Sequence, residues 1–509
     1  MKYIDRFLNG ITMYKLVLFG LLVLVVIAIA FGFFGILPFS GVSMLSSFII
    51  LGLVCYFTNF LFAGIYKVPT NSESYSITAL ILFFILLPVT TFDDVRTIVL
   101  VALIAMASKY LLAIKKKHIF NPAAIAVFIV GLTSFDLASW WVGSGVMLVP
   151  TLVLAFLVLR KINHFQMFFT FVIAGFLSTF LFGLSGEADF IKIIVSTLLS
   201  TSLIFLGSIM LTEPHTLPPQ RKMQLIYAGL VGILFGTQFN IGPLFSTPAL
   251  AIVIGNVFSY LVSPRLRLVL QLLEKNKLTT DVYEFVWKSV NTNENKISFE
   301  VGQYLEWTLG HKSPDMRGNR RYFTIASSPT ESVIRLGIKS YENSSTFKKK
   351  LLSMNVGDTL VASQLSGEFT LPEDKLKKLV FIAGGIGITP FRSMVKYLMD
   401  TEDKRDVTLF YSNRTPHDIV YKDIFNEAKD SFAMKTIYTV NDLAGENQTE
   451  DMRVGFIDAN MITKEGPDYK ESMYYISGPH AMVTAFEDTL SKLEIPKKNI
   501  KVDFFPGYV

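Results

Sequence analysis

Ten long apolar segments that are almost free of charge occupy the first half of the chain. They lie at residues 15–37, 43–66, 75–90, 96–114, 119–134, 144–160, 165–184, 189–212, 223–239 and 244–263. Residues 1–263 carry 14 Lys and Arg and 8 Asp and Glu, whereas the remaining residues carry 33 of each class. Because a spanning helix needs about 20 apolar residues, residues 1–263 are predicted to form an α-helical polytopic membrane domain with about ten transmembrane helices.

Charged residues between these segments alternate in sign. Basic residues occupy the N-terminus and every second loop, and acidic residues predominate in the other loops. The basic set is Lys2, Arg6, Lys15, Lys67, Lys115, Lys116, Lys117, Arg160, Lys161, Arg221 and Lys222. Because cytoplasmic loops are enriched in Lys and Arg, we predict a multi-pass cell-membrane protein with both termini in the cytoplasm. The net charge of +6 comes entirely from residues 1–263, so it indicates membrane topology rather than nucleic-acid binding.

Several redox cofactors are excluded by residue type. Cys55 is the single cysteine, so disulfides and cysteine-ligated iron–sulfur clusters within this chain are excluded. None of the six histidines lies in the middle of a predicted span, where a transmembrane haem needs paired ligands. No metal site is predicted. Carboxylates are also missing from the middle of the predicted spans, so the sequence gives no support to an ion pump.

Two loops differ from ordinary helix connections. HIFNPAAIAVF (118–128) follows a lysine run, and LTEPHTLPPQRK (211–222) contains three prolines. These segments resemble the FNPAA and T-[DE]-P segments of the NqrB/RnfD family of bacterial membrane subunits. The resemblance implies ten helices, flavin within the membrane domain and a cytoplasmic-membrane location. The family's covalent-flavin motif has no match, since the nearest string is Ser40–Ser43 (SGVS), so a second flavin (FMN or riboflavin) would be bound non-covalently.

The segment that follows the last apolar run is basic and leucine-rich. Residues 264–279 begin PRLRLVLQLLEKNKL, in which Arg and Lys alternate with leucines. This pattern predicts a short amphipathic linker at the cytoplasmic surface.

The sequence pattern of the C-terminal part changes once, between residues 373 and 374. Residues 280–373 contain short runs rich in β-branched and aromatic residues, such as DVYEFVWKSV and SVIRLGIKSY, which predict a small antiparallel β-barrel. Residues 374–509 alternate buried strands with helices three times, beginning with KLVFIAGGIGITPFRSMVKYL. This alternation predicts a doubly wound α/β domain with ligand at the carboxyl ends of its strands. The predicted fold class is therefore multidomain.

An ordered set of motifs runs through the C-terminal part. FEVGQY, RYFT, a hydroxyl-rich helix start, GEFTLP, GGIGITP, SGP and a terminal DFFPGYV follow one another over residues 280–509. This set resembles the ferredoxin-NADP reductase family, which implies FAD on the barrel and NADPH or NADH on the α/β domain.

The resemblance assigns flavin contacts to the barrel. Arg321 is expected to pair with the flavin phosphates, as guanidinium donors suit phosphate oxygens. Phe323 is expected to pack on the isoalloxazine, and Thr324 to place its hydroxyl near flavin N5. The other expected cofactor-binding residues on this side are Ala326, Ser327, Lys339, Ser344, Ser345 and Thr346.

The resemblance also assigns nicotinamide-dinucleotide contacts. The expected binding residues are Gly384, Gly385, Gly387, Thr389, Pro390, Gly478 and Pro479. Ser477 stands where the family often has cysteine, so a thiol role is absent. Tyr508 resembles the terminal aromatic that covers the flavin, and Thr324, Ser477 and Tyr508 form the expected catalytic set. Ser412 and Arg414 suit a 2′-phosphate, which favours NADPH slightly over NADH.

Together the two halves predict a single-chain membrane-bound NAD(P)H oxidoreductase. Electrons would pass from NAD(P)H to cytoplasmic FAD, and then through a membrane flavin to a quinone, an extracytoplasmic flavoprotein or ferric iron. One alternative is a membrane-anchored reductase with a cytoplasmic acceptor such as ferredoxin, flavodoxin or free flavin. The other alternative is a transporter regulated by an attached reductase.

Overall fold

The computed structural model describes residues 4, 7–8, 11–66, 72–114, 117–133, 138–183, 190–242, 244–263, 267–290, 298–311, 314–315, 318–466 and 468–504. The chain divides into two compact units, Met1–Ser263 and Pro264–Val509. Each unit is described by itself below.

The N-terminal unit is helical. Its helices are α1 (Met13–Phe33), α2 (Gly41–Tyr66), α3 (Ser72–Ile85), α4 (Phe92–Leu111), α5 (Pro122–Gly131), α6 (Gly145–Ile162), α7 (Phe165–Gly183), α8 (Phe190–Ser200), the Leu203–Met210 segment, α9 (Arg221–Gly236) and α10 (Pro248–Val262). Every predicted apolar segment overlaps one of these helices, so the positions of the helical segments agree with the sequence pattern.

Helix length gives a smaller number of full spans than predicted. Among the described residues, α1, α2, α6 and α7 are long and apolar enough to cross a membrane. Ile193–Ser200 and Leu203–Met210 make a fifth if they count as one span bent by 66°. Helices α3, α5 and α10 are apolar but have only 14, 10 and 15 residues. Hydropathy over a window ignores backbone breaks, which explains why these short helices are included in the predicted count.

Two of the short helices begin in the same way. Helices α5 and α10 both follow a two-stranded hairpin, formed by β1 (Ala113–Ile114) with β2 (Lys117–His118) and by β3 (Asn240–Ile241) with β4 (Leu244–Phe245). Each helix starts with proline after a residue whose side chain caps it, Asn121 or Thr247. Proline suits the first helical turn because its missing N–H has no intrahelical partner there.

The C-terminal unit opens with a six-stranded antiparallel sheet in the order β8-β7-β10-β5-β6-β9. The strands are β5 (Arg267–Lys277), β6 (Val282–Ser289), β7 (Tyr304–Thr308), β8 (Arg320–Thr324), β9 (Ile334–Lys339) and β10 (Thr359–Ser366). Buried aromatic and aliphatic side chains, including Trp287 and Trp307, fill its concave side together with the short helix α11 (Thr346–Leu352). The described sheet is a half-barrel, and the antiparallel barrel prediction holds at that level.

The predicted amphipathic linker at 264–279 is wrong for its described part. Residues 267–277 form β5, which pairs with β6 and β10 inside the sheet. Leu268, Leu270 and Leu272 are fully buried on one face, which is the period of two that a half-buried strand requires. The alternation of leucine with charge therefore reports a strand, and the half-barrel begins before residue 280.

The second part of the unit is a parallel sheet in the order β14-β13-β12-β11-β15-β16. Its strands are β11 (Leu379–Gly384), β12 (Val407–Asn413), β13 (Lys435–Val440), β14 (Met452–Val454), β15 (Met473–Gly478) and β16 (Ile500–Phe504). Its helices are α12 (Thr389–Asp400), α13 (Lys422–Phe432), α14 (Ala459–Glu465) and α15 (His480–Lys492). One apolar cluster holds α12 and α13, and another holds α14 and α15, as the doubly wound prediction requires.

Strand order fixes where a ligand binds in such a sheet. The chain proceeds outward from β11 through β12 to β14, and then returns to the other side of β11 as β15. Ligands of open α/β sheets bind at the carboxyl ends of the strands where the order reverses. Here that point lies between Gly384, which ends β11, and Gly478, which ends β15.

Candidate active site

Arg321 lies on β8 and points toward the start of α11. Its guanidinium is buried, donates from Nη1 to the carbonyls of Arg320 and Gly318, at 2.6 and 3.3 Å, and lies 5.2 Å from the centre of the Phe347 ring. Phe323, on the same face of the strand, has its ring centre 6.0 Å from that of Phe347. The structure therefore places the predicted phosphate-binding arginine and the predicted flavin-packing ring beside one helix.

The start of α11 holds an anionic group in this structure. The Thr346 backbone N–H donates to Asp315 Oδ2 at 2.9 Å, and Asp315 Oδ1 lies 3.8 Å from Arg321 Nη2. The Asp315 backbone N–H donates to Thr346 Oγ1 at 3.0 Å, and Ser345 caps the helix by accepting from the Lys348 N–H. Arg321, Ser345 and Thr346 are thus brought together, and the carboxylate stands in for an anion. This donor set fits a phosphate group of FAD.

Two other predicted flavin contacts have other partners. Lys339 Nζ pairs with Asp281 Oδ2 at 3.0 Å. The Ser344 hydroxyl closes a turn by accepting from the Tyr341 N–H at 2.8 Å and donating to the Tyr341 carbonyl at 2.7 Å. Neither side chain joins the anion-holding group.

Ala326 and Ser327 are buried in the seam between the two sheets. The Ala326 N–H donates to the Arg335 carbonyl at 2.9 Å, and Ser327 Oγ accepts from the Arg335 N–H at 3.1 Å. Strand β8 ends at Thr324, so Ala326 and Ser327 lie beyond it, and the Ser327 hydroxyl joins this segment to β9.

Thr324 meets an acidic residue that the sequence reading did not single out. Thr324 Oγ1 donates to Asp503 Oδ2 at 3.3 Å, and Asp503 lies beside Ser477 in the register of β15 and β16. Burial raises the pKa of Asp503 to about 7 from its ordinary value of 3.8, against the opposing effect of the Thr324 hydrogen bond. A carboxyl group of this kind can hold and release a proton at neutral pH. The sequence feature that could have pointed to Asp503 is its place at the start of the DFFPGYV motif.

The glycine loop after β11 approaches the end of β15 closely. A Cβ on Gly387 would lie 2.4 Å from the Ser477 carbonyl oxygen, and one on Gly384 would lie 2.2 Å from Met482 Sδ. Gly385 has a φ of +51°, which glycine adopts without the steric cost of a side chain. Thr389 and Pro390 open α12 immediately after this loop, as predicted.

Ser477 lies beside the glycine loop, near the carboxyl end of β15. The residue is fully buried, and its Oγ has no hydrogen-bond partner among the described residues. Gly478 and Pro479 follow it at the carboxyl end of β15, and Pro479 precedes α15. An orphaned buried hydroxyl between the glycine loop and Asp503 fits a polar group of a bound nicotinamide.

The predicted 2′-phosphate residues lie at the end of β12. Ser412 pairs with Gly384 and Thr439 in the register of the parallel sheet, and Arg414 is exposed one residue beyond the strand. The Arg414 carbonyl accepts from the Asn441 and Asp442 N–H groups, both at 3.0 Å, so its loop is fixed against the end of β13. Tyr508 lies outside the described residues.

The two loops that differ from ordinary helix connections meet in the N-terminal unit. Asn121 Nδ2 donates to Glu213 Oε2 at 2.9 Å, and the Asn121 N–H donates to Asn256 Oδ1 at 2.7 Å. Asn256 Nδ2 in turn donates to the Tyr227 hydroxyl at 3.2 Å. Asn256 and Tyr227 are fully buried. HIFNPAAIAVF and LTEPHTLPPQRK therefore meet in one polar cluster, in which Asn121 is buried and Glu213 is half-buried.

Comparison with known proteins finds similarity in the C-terminal unit. Residues 381–488 match the family model described as the oxidoreductase NAD-binding domain. The flavohemoprotein of Candida albicans is 28% identical over 216 residues, which cover 41% of this chain and 52% of the relative. NADH-cytochrome b5 reductase 1 of Debaryomyces hansenii is 29% identical over 221 residues, which cover 42% and 75%. The C-terminal unit is similar to NAD(P)H-dependent flavoprotein oxidoreductases, and it is called the reductase module below.

A solved structure is also similar to this reductase module. The crystal structure of the cytochrome b5 reductase domain of Ulva prolifera nitrate reductase shares 22% identity and covers 48% of this chain and 98% of that chain, with a TM-score of 0.42. The chain spans about half the length of the flavohemoproteins that it matches. The part of this chain that matches the family model includes Gly384, Gly385, Gly387, Ser412 and Ser477.

Proposed function

We propose that the protein is a membrane-bound NAD(P)H oxidoreductase that passes electrons from the reductase module into its helical unit. The observation that carries the first half is the meeting of Thr324, Asp503 and Ser477 at the carboxyl ends of β11 and β15. Within one compact unit, β8, here called the flavin strand, and the glycine loop at 384–388 supply complementary sides of one site. Flavin accepts a hydride and releases single electrons, and this chemistry links a dinucleotide to a one-electron acceptor.

The residues present would hold FAD by its phosphates and by its ring. Arg321, the Thr346 N–H and the Ser345 end of α11 would take the phosphates in place of the Asp315 carboxylate. Phe323 and Thr324 would line the isoalloxazine. The Thr324–Asp503 pair would hold a proton beside the ring, because the Asp503 carboxyl has a raised pKa and a hydroxyl donor.

The dinucleotide would enter across the glycine loop. Gly387 lets that loop contact the Ser477 carbonyl, so the nicotinamide would lie between Ser477 and Thr324. Arg414 and Ser412 would bind the adenosine ribose or its 2′-phosphate at the end of β12. Phe456, two residues beyond β14 and 76% exposed, is an aromatic surface at the same sheet edge on which the adenine could stack.

We further propose that a second, non-covalent flavin binds in the helical unit at the Asn121–Glu213 cluster. The bilayer core is about 30 Å thick, and cysteine clusters and paired mid-span histidines are not available to bridge it. Amide and carboxylate groups match the donors and acceptors of a flavin pyrimidine edge. The four or five full-length apolar helices among the described residues support a multi-pass position in the membrane. The alternation of basic and acidic loops supports the proposal that both termini are cytoplasmic.

The electron acceptor follows from where the second cofactor delivers electrons. A quinone in the bilayer, an extracytoplasmic flavoprotein or ferric iron suits the relay. The names of the relatives, flavohemoprotein and NADH-cytochrome b5 reductase, point instead to a haem partner. A haem protein, ferredoxin, flavodoxin or free flavin on the cytoplasmic side would make the helical unit an anchor, and a regulated transporter is the third candidate.

Proteoliposomes separate these candidates. The full-length protein is reconstituted with membrane-impermeant ferricyanide trapped inside, and NAD(P)H is added outside. Reduction of the trapped ferricyanide supports the relay. In parallel vesicles with ferricyanide added outside, reduction of the external ferricyanide without reduction of the trapped ferricyanide supports the anchor and contradicts the relay. Uptake of a solute such as riboflavin without NAD(P)H oxidation supports the transporter.

A further inference from the structure

Arg392 joins the two parts of the reductase module from a buried position. It lies on α12, three residues after Thr389, and is 5% exposed. Its Nη1 donates to the Ala326 carbonyl at 2.9 Å and to Glu331 Oε2 at 2.6 Å, while Nη2 donates to Glu331 Oε1 at 3.1 Å. One planar group therefore binds both oxygens of a carboxylate and one backbone carbonyl of the half-barrel.

The carboxylate that receives Arg392 is itself fixed. Glu331 Oε2 accepts from the Ser328 N–H at 2.7 Å, and Oε1 accepts from Arg335 Nε at 3.0 Å. Arg335 is held in turn by Glu284 Oε2 at 2.7 Å. Two arginines and two carboxylates thus form a neutral chain that runs from β6 and β9 to α12.

A second contact runs parallel to the first. Ser393, the next residue on α12, donates from Oγ to the Ser327 carbonyl at 2.7 Å. The two carbonyls that α12 binds, those of Ala326 and Ser327, follow Thr324 by two and three residues. The start of α12 follows the glycine loop directly, so these bonds connect the loop to the end of the flavin strand.

We propose that Arg392 is a positioning residue that sets the spacing between the glycine loop and Thr324. The inference rests on the proposed hydride transfer from NAD(P)H to FAD, in which the C4–H bond of the dihydronicotinamide breaks and the hydride joins flavin N5. Such a transfer needs the two atoms about 3–3.5 Å apart, and a displacement of about 1 Å can reduce the rate on the order of 10²-fold. Arg392 touches neither reacting atom and acts through the two segments that it joins.

Lysine cannot replace this arginine. A lysine ammonium keeps the charge but is a single point, whereas the guanidinium spans two carboxylate oxygens and a carbonyl at fixed angles. Arg392→Lys therefore keeps the ion pair and removes the geometry. Arg405 offers a matched control, because it is equally buried and binds Asp403 through two nitrogens, at 2.8 and 3.1 Å. Its other hydrogen bond among the described residues goes to the Pro372 carbonyl at 3.2 Å, and not to β8.

The test compares the full-length Arg392→Lys and Arg405→Lys proteins with the wild type. Measured quantities are FAD per chain, the thermal unfolding midpoint, the rate of flavin reduction in stopped flow, and the isotope effect with 4-deuterated NAD(P)H. Hydrogen exchange of the 384–391 backbone amides gives a readout that is independent of turnover. For Arg392→Lys we expect unchanged FAD, a KM within threefold, at least tenfold slower flavin reduction, a larger isotope effect and faster exchange of the loop. Arg405→Lys should stay within twofold of the wild-type rate.

Three results would overturn the inference. Arg392→Lys could lower the unfolding midpoint while leaving the reduction rate, the isotope effect and loop exchange unchanged, which is a structural role only. Arg405→Lys could slow flavin reduction as much. If the wild type itself does not reduce FAD with NAD(P)H, the proposed function and the inference fail together. Glu331→Gln, which keeps both arginines and the shape of the side chain, replaces Arg392→Lys if that variant does not fold, with the same expected losses.

Discussion

Thr324 and Asp503, which are 179 residues apart in sequence, meet at 3.3 Å between hydroxyl Oγ1 and carboxyl Oδ2. The hydroxyl belongs to the last residue of β8, and the carboxyl belongs to β16 at the edge of the parallel sheet. This pair joins the two parts of the reductase module where the flavin ring is proposed to lie. It gives the site a hydroxyl whose own proton is shared with a titratable neighbour.

Asp503 predicts a pH dependence near neutrality. Its pKa is raised to about 7, so the protonated form that can donate is lost as the pH rises through 7. Wild-type turnover should fall over pH 6–8 with an apparent pKa near 7, whereas Asp503→Asn should be slower and nearly flat over this range. Steady-state rates at fixed ionic strength measure both.

The pH dependence of the unfolding midpoint provides a control for the raised pKa of Asp503. Because the folded-state pKa is above the unfolded value, the protonated carboxyl stabilises the fold below pH 4, and that contribution is lost as the pH rises to about 7. The unfolding midpoint of the wild type relative to Asp503→Asn should therefore decline between pH 4 and 7 and then level off. A constant difference over this range would show that folding does not raise the pKa of Asp503.

The hydroxyl of Thr324 should matter more than its methyl group. Thr324→Ser keeps the bond to Asp503, while Thr324→Val keeps the shape and leaves a half-buried carboxyl without its donor. We expect the serine variant within threefold of the wild-type rate of flavin reduction and the valine variant at least tenfold slower, with FAD content unchanged in both. Equal rates in the two variants would assign Thr324 a packing role only.

Gly387 should not tolerate a methyl group. Its Cβ would lie 2.4 Å from the Ser477 carbonyl oxygen, so Gly387→Ala must push the glycine loop away from β15. The KM for NAD(P)H should rise at least tenfold. Gly52→Ala in α2, where nothing lies within 4 Å of the new Cβ, should leave the KM unchanged. An unaltered KM in Gly387→Ala would mean that the loop contact is not needed for dinucleotide binding.

Arg414 tests the choice between NADPH and NADH. If its exposed guanidinium binds a 2′-phosphate, Arg414→Ala should raise the KM for NADPH about tenfold and leave the KM for NADH within twofold. Parallel titrations with both dinucleotides give the ratio. If Arg414→Ala raises the KM for both dinucleotides alike, or for neither, Arg414 does not determine the choice between NADPH and NADH.

Local sequence pattern sufficed to predict much of the fold and the positions of several candidate site residues. The GGIGITP loop, the start of α11 and the position of Arg321 follow from short segments whose geometry is set by their own residues. Strand β5 was misread as a linker because alternating leucine and charge suit a surface helix and a strand equally until a partner strand is present. Asp503 and Arg392 act through contacts that span 179 and 61–66 residues, and a single sequence does not record such pairings.

The helical unit shows the same limit on what can be predicted from a single sequence. Its helices lie where the apolar segments predicted, but Pro122 and Pro248 begin short helices inside two of them. Lys339 looked free to bind phosphate because nothing in its own strand predicts its pairing with Asp281. The contact of Asn121 with Glu213 likewise appears only when the two loops are folded together.

The number of flavins bound per chain tests the relay most directly. The full-length protein is purified in mild detergent, and extracted flavins are separated and quantified for the wild type and for Arg321→Ala. We predict two flavins per wild-type chain, one of them FAD, with Arg321→Ala losing the FAD and retaining the second flavin. A wild-type protein with FAD alone, which Arg321→Ala leaves colourless, would contradict electron transfer through a membrane flavin.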